Sequence, residues 1–557
     1  MSREMLPINR THDATSGLPS IPTPRNLYKL SVSILMFTSV YIDAKDPSNS
    51  ISCNQARKII RQLIAGLRAA GFEKGDCLNI HSFNDIYYSM IFLATIGAGG
   101  VFAGTNPGYT QFELTHHIKT AKVSFLISEP EILDNLVAAA NDTKIPASNI
   151  WVFNTQGRPL PPGHKSWTEL LEHGEADWVR FNDPETCKNT AAARLFSSGT
   201  TGLPKAANIS HQNFIAQHTV VDEYRTARYQ ISRVIALPCF HAAAVPSTHV
   251  GALKAGHTLY IMRRFELLPF LEAADKYNVT DVSTVPPMAV AIVKSPYAKA
   301  SYLKKTRNGA VGAAPLDKDV QSAFRSIMGP GATYTQVWGM TETTCIATMF
   351  RYPENDDTGS VGRPVASLEM KLIDDEGKNI SAYGVRGEIC VRGPTVIKGY
   401  FENPTANAQS FDGEWFKTGD IGYCDEKTKK WYIIDRKKEL IKVRGFQVAP
   451  PELEAVLLSH PLIMDAAVIG VSFKGGEKEK IEHPRAYVVR QPGPASQKVT
   501  EKELQEFAGA KLARYKYLTG GVKFVSSIPK NASGKILKRL LREEAKKEIE
   551  QGLVAKL

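Results

Sequence analysis

Leu195-Phe196-Ser197-Ser198-Gly199-Thr200-Thr201-Gly202-Leu203-Pro204-Lys205 joins a short apolar run to a turn made of glycines, hydroxyls and one lysine. Glycine lets the backbone approach a ligand closely, hydroxyls add donors, and the lysine adds positive charge. That combination suits phosphate oxygens. The residue order does not fit the Walker A pattern G-x-x-x-x-G-K-[ST], which excludes that class of phosphate loop. A glycine-rich turn is also a common structural device, so the stretch alone divides evenly between the two readings.

Working outward, Asn54 to Ala70 sets Ile59, Ile60, Leu63, Ile64 and Leu67 at helical spacing, with Gly71 as a C-terminal stop. From there to about residue 390, apolar β-branched runs such as Val279 to Val285 and Ile389-Cys390-Val391 alternate with helical patterns. This alternation predicts α/β layers. The pattern changes after Trp431-Tyr432-Ile433-Ile434, a predicted strand that runs into the charged turn Asp435-Arg436-Lys437-Lys438. Downstream, Pro450-Pro451 open a helix with Leu453, Val456 and Leu457 on one face, followed by strands at Ala466 to Val471 and Ala486 to Val489. Thr500 and Glu503 form a capping box. A strand at Val522 to Val525 and a basic terminal helix complete the unit. The expected organisation is a large N-terminal α/β domain over 1–435, a hinge at 436–438 and a small α+β domain over 439–557.

Several further residues make chemical sense in their own right. Glu342 offers a hard oxygen ligand for Mg2+, though a lone loop glutamate is usually just solvated. Asp420 can accept two ribose hydroxyls and Arg436 can reach the same sugar or its phosphate, though an aspartate after glycine also serves in turns. Lys535, in Asn531-Ala532-Ser533-Gly534-Lys535, can bridge a carboxylate and a phosphate, or stand as a solvated helix end. Trp338 can stack on a base or pack in a core. His241 reads from the residues alone as a core histidine.

Taken together the stretches resemble the adenylate-forming superfamily of acyl-CoA synthetases, luciferases and peptide-synthetase adenylation domains. Ser197 to Lys205 resembles its phosphate loop. Pro238-Cys239-Phe240-His241, Gly312-Ala313-Ala314-Pro315, Gln336-Val337-Trp338-Gly339-Met340-Thr341-Glu342, Trp415-Phe416-Lys417-Thr418-Gly419-Asp420, Asp435 to Lys442 with Gly445-Phe446, and Pro529 to Lys535 follow in the family's order. Trp338 stands where the family carries tyrosine. The likeness covers nearly the whole chain from about residue 50, and it is greatest to coumarate-CoA-ligase-like synthetases, through Gln447-Val448-Ala449-Pro450 and Ile528-Pro529-Lys530.

The resemblance implies an adenylation domain followed by a mobile lid domain, with ATP, Mg2+ and coenzyme A acting on a carboxylic acid through its acyl-AMP. It implies nucleotide binding by Ser197, Ser198, Gly199, Thr200, Thr201, Gly202, Lys205, Ala313, Ala314, Pro315, Trp338, Gly339, Thr341, Asp420 and Arg436. Glu342 and Thr201 become the metal ligands, and Lys535, His241, Lys442 and Thr341 the catalytic group. Lys438 becomes the hinge residue. Lys535 would serve adenylation, and Lys442, Gly445 and Phe446 would replace it for thioester formation. His241, Ala243 and Val337 would line the acid pocket. Ala242-Ala243-Ala244 stand where coumarate ligases carry larger residues, which deepens the pocket unless they pack a helix. Val337 stands at a glycine position, which narrows another wall. The two changes oppose each other, and the expected acid is aryl or medium-chain, with a specialised-metabolism acid as a further alternative.

The 557-residue length, 43% hydrophobic and 22% charged composition set aside disordered and membrane classes. A net charge of +12 suits polyanionic ligands, ATP and coenzyme A included, and no aromatic-basic repeat favours nucleic acid. Seven scattered cysteines predict no disulfide framework or zinc site and a reducing compartment, with each cysteine a small buried hydrophobe. The N-terminus lacks the order of a secretory signal, and the apolar stretch Ser31 to Ile42 is too short for a membrane span and is expected in the core. Ala555-Lys556-Leu557 differ by one small residue from the S-K-L address, which predicts a peroxisomal import receptor as partner and the peroxisomal matrix as location, with the cytoplasm as alternative. Two other readings compete: an adenylating enzyme with a different acceptor (a carrier protein, or oxygen as in luciferases) and a catalytically dead binding protein. No carrier-like segment follows Lys535, and retention of Thr341, Glu342, Asp420, Arg436 and Lys535 disfavours the second.

Overall fold

Ser52 caps the helix Cys53–Ala69 by accepting from Gln55 N, while the Gln55 side chain accepts from Ser52 N. Ile60, Leu63, Ile64 and Leu67 are buried as the spacing predicts, and Gly71 follows with φ +86°. The computed structural model describes residues 38–197, 204–223, 227, 229–299, 301–443, 446–473, 482–531 and 534–551. Chain contacts divide them into two units, one over 38–370 and 391–416, the other over 371–390 and 417–551.

In the larger unit a seven-stranded sheet runs in the order Lys165–Ser166, Ile150–Val152, Val123–Ser128, Cys77–His81, Val101–Thr105, Ala191–Ser197 and Lys205–Ser210. Every neighbouring pair is parallel except the last. Both central strands are fully buried: Val101–Thr105 is apolar up to its last residue, whereas Cys77–His81 carries Asn79 and His81, each bonded to Thr105 Oγ1. A second sheet joins Ser232–Ile235, Thr258–Ile261, Ser39–Asp43 and Ser50–Ser52. The expected core stretch is realised where it is described: Val40 and Tyr41 are buried in Ser39–Asp43. A third, parallel sheet holds Asp281–Thr284, Asn308–Val311 and Thr333–Gln336 over a core of Val282, Val311, Tyr334, Phe324 and Phe270. A short antiparallel sheet of Trp338–Met340, Cys345–Met349 and Arg363–Pro364 follows.

A further sheet holds Glu369–Ile373, Gly387–Arg392 and Trp415–Cys424, with Phe411–Asp412 and Trp431–Arg436 paired antiparallel to the last. The predicted strand at Trp431 extends two residues further than expected. Asp435 and Arg436 continue the ladder opposite Ile421 and Asp420, so the first half of the charged turn is sheet. A second sheet pairs Ile463–Val471 antiparallel to His483–Arg490 and the latter parallel to Val522–Phe524. Its faces alternate strictly. Ala466, Val468, Ala486 and Val488 meet Leu453, Leu457, Leu504 and Ala508 of the helices Pro450–Leu458 and Glu501–Gly509. Ala467, Ile469, Tyr487 and Val489 meet Leu541 and Ala545 of the terminal helix Lys538–Glu550. Period-two alternation therefore gives each face its own core. The Thr500–Glu503 capping box is present.

The architecture is thus a large unit of α/β sheets followed by a small α+β unit at the C-terminal end of the described residues. None of the seven cysteines forms a disulfide, and Cys77, Cys239, Cys390 and Cys424 are buried while Cys53, Cys187 and Cys345 are half-buried. No helix among the described residues is long and apolar enough to cross a membrane.

Candidate active site

The glycine-rich turn joins two antiparallel strands, and the pair Ser197↔Lys205 closes its base. Ser198, Gly199, Thr200, Thr201 and Gly202 lie outside the described residues. The flank is fixed: His116 Nε2 bonds Pro204 O at 2.8 Å, and His117 stacks on Phe196 with ring centres 3.6 Å apart. Lys205 leaves the turn on the strand Lys205–Ser210, half-buried, with its ammonium 4.8 Å from the ring centre of Tyr400.

Glu342 sits in the single turn Thr341–Thr343, and all three side chains are buried. A buried carboxylate needs partners. The Tyr400 hydroxyl donates to Glu342 Oε1 at 2.7 Å. The surrounding backbone is tied down as well. Ile397 N donates to Glu342 O at 2.9 Å, and Thr344 Oγ1 donates to Thr395 O at 2.6 Å. Gln217, its amide oriented by the carbonyls it faces, donates to Thr343 O and Ile346 O at 3.1 Å each. Thr344 is left-handed at φ 59°, and a Cβ on Gly339 would collide with the Cys345 carbonyl. The strand before Glu342 thus passes so close to the strand after it that only glycine fits.

The Gly312–Pro315 turn follows the strand Asn308–Val311. Gln336 holds it by accepting from Leu316 N at 3.0 Å and donating to Leu316 O at 2.9 Å. Ala313 is left-handed at φ 71°. Val337 Cγ2 would lie 2.8 Å from a Cβ on Gly312, so the valine presses directly on this turn. Trp338 is buried. His241 lies in a turn where its Nδ1 accepts from Ala243 N at 3.1 Å. Burial pushes the imidazole down to about 4, so it is neutral with its proton on Nε2. Ala242 and Ala244 are buried and Ala243 is half-buried. Cys345 Sγ donates to Ala243 O at 3.7 Å, which joins the histidine turn to the strand after Glu342. The chain then enters a π-helix at Pro246–Gly251, a form frequent at functional sites. Within it His249 bonds Ser89 Oγ at 2.7 Å and Cys239 O at 2.9 Å, which anchors the Pro238–His241 segment.

The smaller unit gathers the other candidates. Trp415–Cys424 buries alternate residues, and Asp420 falls on the buried face. Arg436 Nε stands 3.1 Å from its Oδ1 across the ladder. Asp420 N donates to Thr418 Oγ1 at 3.1 Å and Lys437 N to Gly419 O at 2.8 Å. Lys437 pairs with Asp375 and Glu388 at 2.9 and 3.1 Å, whereas Lys438 is exposed. Asp435 is buried with Oδ2 unbonded, and burial pushes its carboxyl up to about 7 although Lys538 opposes the shift. Arg542 grips Glu439 at 2.5 Å. Lys442 is exposed on Ile441–Val443, its backbone bonded both ways to Glu482. Gly445 and the side chain of Phe446 lie outside the described residues. Asn531 and Lys535 are joined by two hydrogen bonds, Asn531 N donating to Lys535 O and Lys535 N to Asn531 Oδ1, both at 2.9 Å. The described residues contain no group of three His, Cys, Asp or Glu side chains able to hold a metal.

The larger unit thus brings together Lys205, Thr341, Glu342, His241 and Ala243 with their supports, and the smaller unit brings together Asp420 and Arg436. Tyr400, Gln217 and Gln336 were not singled out by the sequence as site residues. Tyr400 carries a local signal in Lys398-Gly399-Tyr400, where glycine permits a close turn, but nothing there points to Glu342.

Residues 37–401 match the AMP-binding enzyme family, and residues 452–535 match the AMP-binding enzyme C-terminal domain. The chain belongs to the AMP-binding enzymes. Phenylacetyl-CoA ligase epaB of Aspergillus niger is 53% identical over 510 residues, covering 91% of this chain and 93% of that one. Acyl-CoA synthetase ACTT5 of Alternaria alternata is 50% identical over 526 residues, covering 94% and 90%. Among solved structures, ATP-bound MatB from Rhodopseudomonas palustris is similar with a TM-score of 0.80 and 26% identity, covering 91% and 96%. This AMP-binding enzyme is an ATP-dependent acyl-CoA synthetase, an acid–thiol ligase that takes a carboxylic acid, ATP and coenzyme A as substrates.

Proposed function

We propose that the enzyme activates an aryl-substituted carboxylic acid as its acyl-AMP in the presence of Mg2+ and passes the acyl group to coenzyme A with Lys535 and Lys442 serving successive half-reactions. The observation that carries the nucleotide half is Glu342, a carboxylate buried to 3% exposure with one oxygen committed to Tyr400. Such a lone, oriented, hard ligand is what Mg2+ asks for when most of its shell comes from phosphates and water. Bound there, together with Thr201, the ion would neutralise charge on the departing pyrophosphate.

The chain's own residues divide the rest of the work. Asp420 accepts from the ribose hydroxyls while Arg436 holds its carboxylate in place. Gly312 to Pro315 and Trp338 frame the adenine, with Gly339 and Thr341 beside it. Ser197 to Lys205 holds the phosphates. Lys535 supplies positive charge to the carboxylate and α-phosphate during adenylation, a contribution of about 2.7–4 kcal/mol in comparable electrostatic sites. Rotation about Lys438 then exchanges Lys535 for the segment from Lys442 to Phe446, which lines the path of the thiol. His241, neutral at working pH, offers a donor rather than a charge to the acid at the mouth of that path.

For the acid, the half-buried Ala243 opens one wall while Val337, pressed on Gly312, closes another. That favours a flat, compact acid over a long chain. The similarity to a phenylacetyl-CoA ligase supports the same choice. Pyrophosphate release over a panel of phenylacetic, benzoic, cinnamic and medium-chain acids, with and without coenzyme A, tests it. Higher kcat/KM for the aryl acids is expected, and a preference for octanoate would overturn the aryl assignment. For location, we propose the peroxisomal matrix through Ala555-Lys556-Leu557, outside the described residues. A fluorescent fusion that loses punctate distribution when the tripeptide is removed is the expected result.

A further inference from the structure

Tyr400 lies between two charged groups that the sequence places far apart. Its hydroxyl donates to Glu342 Oε1 at 2.7 Å, and its ring lies 4.8 Å from the Lys205 ammonium. Tyr400 is itself buried. Its position is set by backbone rather than by chance packing. It forms an antiparallel bridge with Ala207, flanked by Phe401 N to Ala206 O at 2.8 Å and Asn208 N to Gly399 O at 3.1 Å. Asn407 Oδ1 accepts from Tyr400 N at 2.7 Å and its Nδ2 donates to Tyr400 O at 3.0 Å. The segment is therefore stitched to the strand that carries Lys205, two residues before Ala207. Ile397 N, on the same segment, bonds Glu342 O.

We infer that Tyr400 is a positioning residue for the pyrophosphate end of the site, holding Glu342 and Lys205 as one unit. The hydroxyl fixes the rotation of the Glu342 carboxylate, so that its other oxygen points in one direction before a metal arrives. The ring face, negative by its quadrupole, holds the ammonium of Lys205 on the same side. Preorganisation of this kind lowers the ordering cost of binding. The two functions separate by atom. The hydroxyl serves the metal-dependent part of nucleotide binding, and the ring serves the part that needs no metal. The inference rests on the proposal that Glu342 is a Mg2+ ligand.

Equilibrium titration of the full-length enzyme with a non-hydrolysable ATP analogue, in Mg2+ and in EDTA, tests it for Tyr400→Phe, Tyr400→Leu and Glu342→Gln. Tyr400→Phe keeps the ring and is expected to weaken binding about 10-fold in Mg2+ and less than 2-fold in EDTA, measured well below the variant's own melting temperature. Tyr400→Leu is expected to lose affinity in both conditions. Equal loss in both conditions for Tyr400→Phe, or no loss in either, overturns the inference. If Glu342→Gln loses Mg2+-dependent affinity and Tyr400→Phe does not, the metal assignment stands and the role of Tyr400 falls. If Glu342→Gln retains Mg2+-dependent affinity, the metal assignment itself fails, and with it the inference.

Discussion

Asp420 and Arg436 face one another across adjacent antiparallel strands, with the guanidinium Nε 3.1 Å from the carboxylate Oδ1. The aspartate is only 5% exposed, and the arginine compensates its burial. Asp420→Ala is expected to raise the KM for ATP roughly 10- to 100-fold, the loss of a hydrogen bond to a charged group at about 1.5–3 kcal/mol. Arg436→Gln is expected to give the same direction with a smaller effect. Steady-state kinetics with ATP varied at saturating acid and coenzyme A checks both.

Five histidines of the larger unit, His81, His117, His211, His241 and His249, are held neutral by burial, at about 3 for His117 and about 4 for the others. In the unfolded chain each titrates near 6.5. Between pH 6.5 and 4 the unfolded state therefore binds more protons, and the stability these residues contribute is fully present above pH 6.5 and lost as the pH falls. Urea unfolding followed from pH 7 to 4.5 is expected to show a falling midpoint, with uptake of up to five protons. A midpoint flat over that range contradicts the burial of these imidazoles.

Asp435 has the opposite sign. Its folded carboxyl is raised to about 7 against an ordinary value near 3.8, by burial first, with Glu454 and Glu439 adding to the shift and Lys538 opposing it. The folded state holds the proton over that window, so its contribution is present at low pH and is lost as the pH rises through 7. The stability advantage of Asp435→Asn over the parent is expected to grow from pH 4 to 7 and level off above. Paired denaturation curves at five pH values measure it.

Gly312 and Val337 are expected to couple. Gly312→Ala sets a Cβ 2.8 Å from Val337 Cγ2 and should cost about 1–3 kcal/mol through overpacking. Val337→Ala removes that methyl, so the double variant should lose less than the sum of the single losses, by on the order of 1 kcal/mol. A four-protein unfolding cycle reads the coupling, and strict additivity would show that the turn relaxes independently of the valine.

Legibility in the sequence followed the range of the interactions. The helix at Cys53–Ala69, the cap at Thr500 and the strand at Ile463–Val471 depend on residues within a few positions, and all three are present, the strand beginning before the expected Ala466. Gly312–Pro315 and Gly339 were legible through the family resemblance, and the close approaches at Gly312 and Gly339 give the physical reason for glycine there. The supports were not. Tyr400 is 58 residues from the carboxylate it holds, and Arg542 is 103 from Glu439. A tyrosine hydroxyl or a helix-surface arginine carries no local mark of such a partner. Asp435 was misleading for a related reason. Beside Arg436, Lys437 and Lys438 it reads as part of a solvated turn, yet the ladder to Ile421 draws it into the interior.

The central claim is a division of labour in which Lys535 serves acyl-AMP formation and not thioester formation. Lys535→Ala should be measured in the two half-reactions separately: pyrophosphate release from ATP with the acid, and acyl-CoA formation from supplied acyl-AMP. The account predicts a loss of roughly 100- to 1,000-fold in the first, with the second within about 3-fold of the parent. Equal losses in both half-reactions would contradict it.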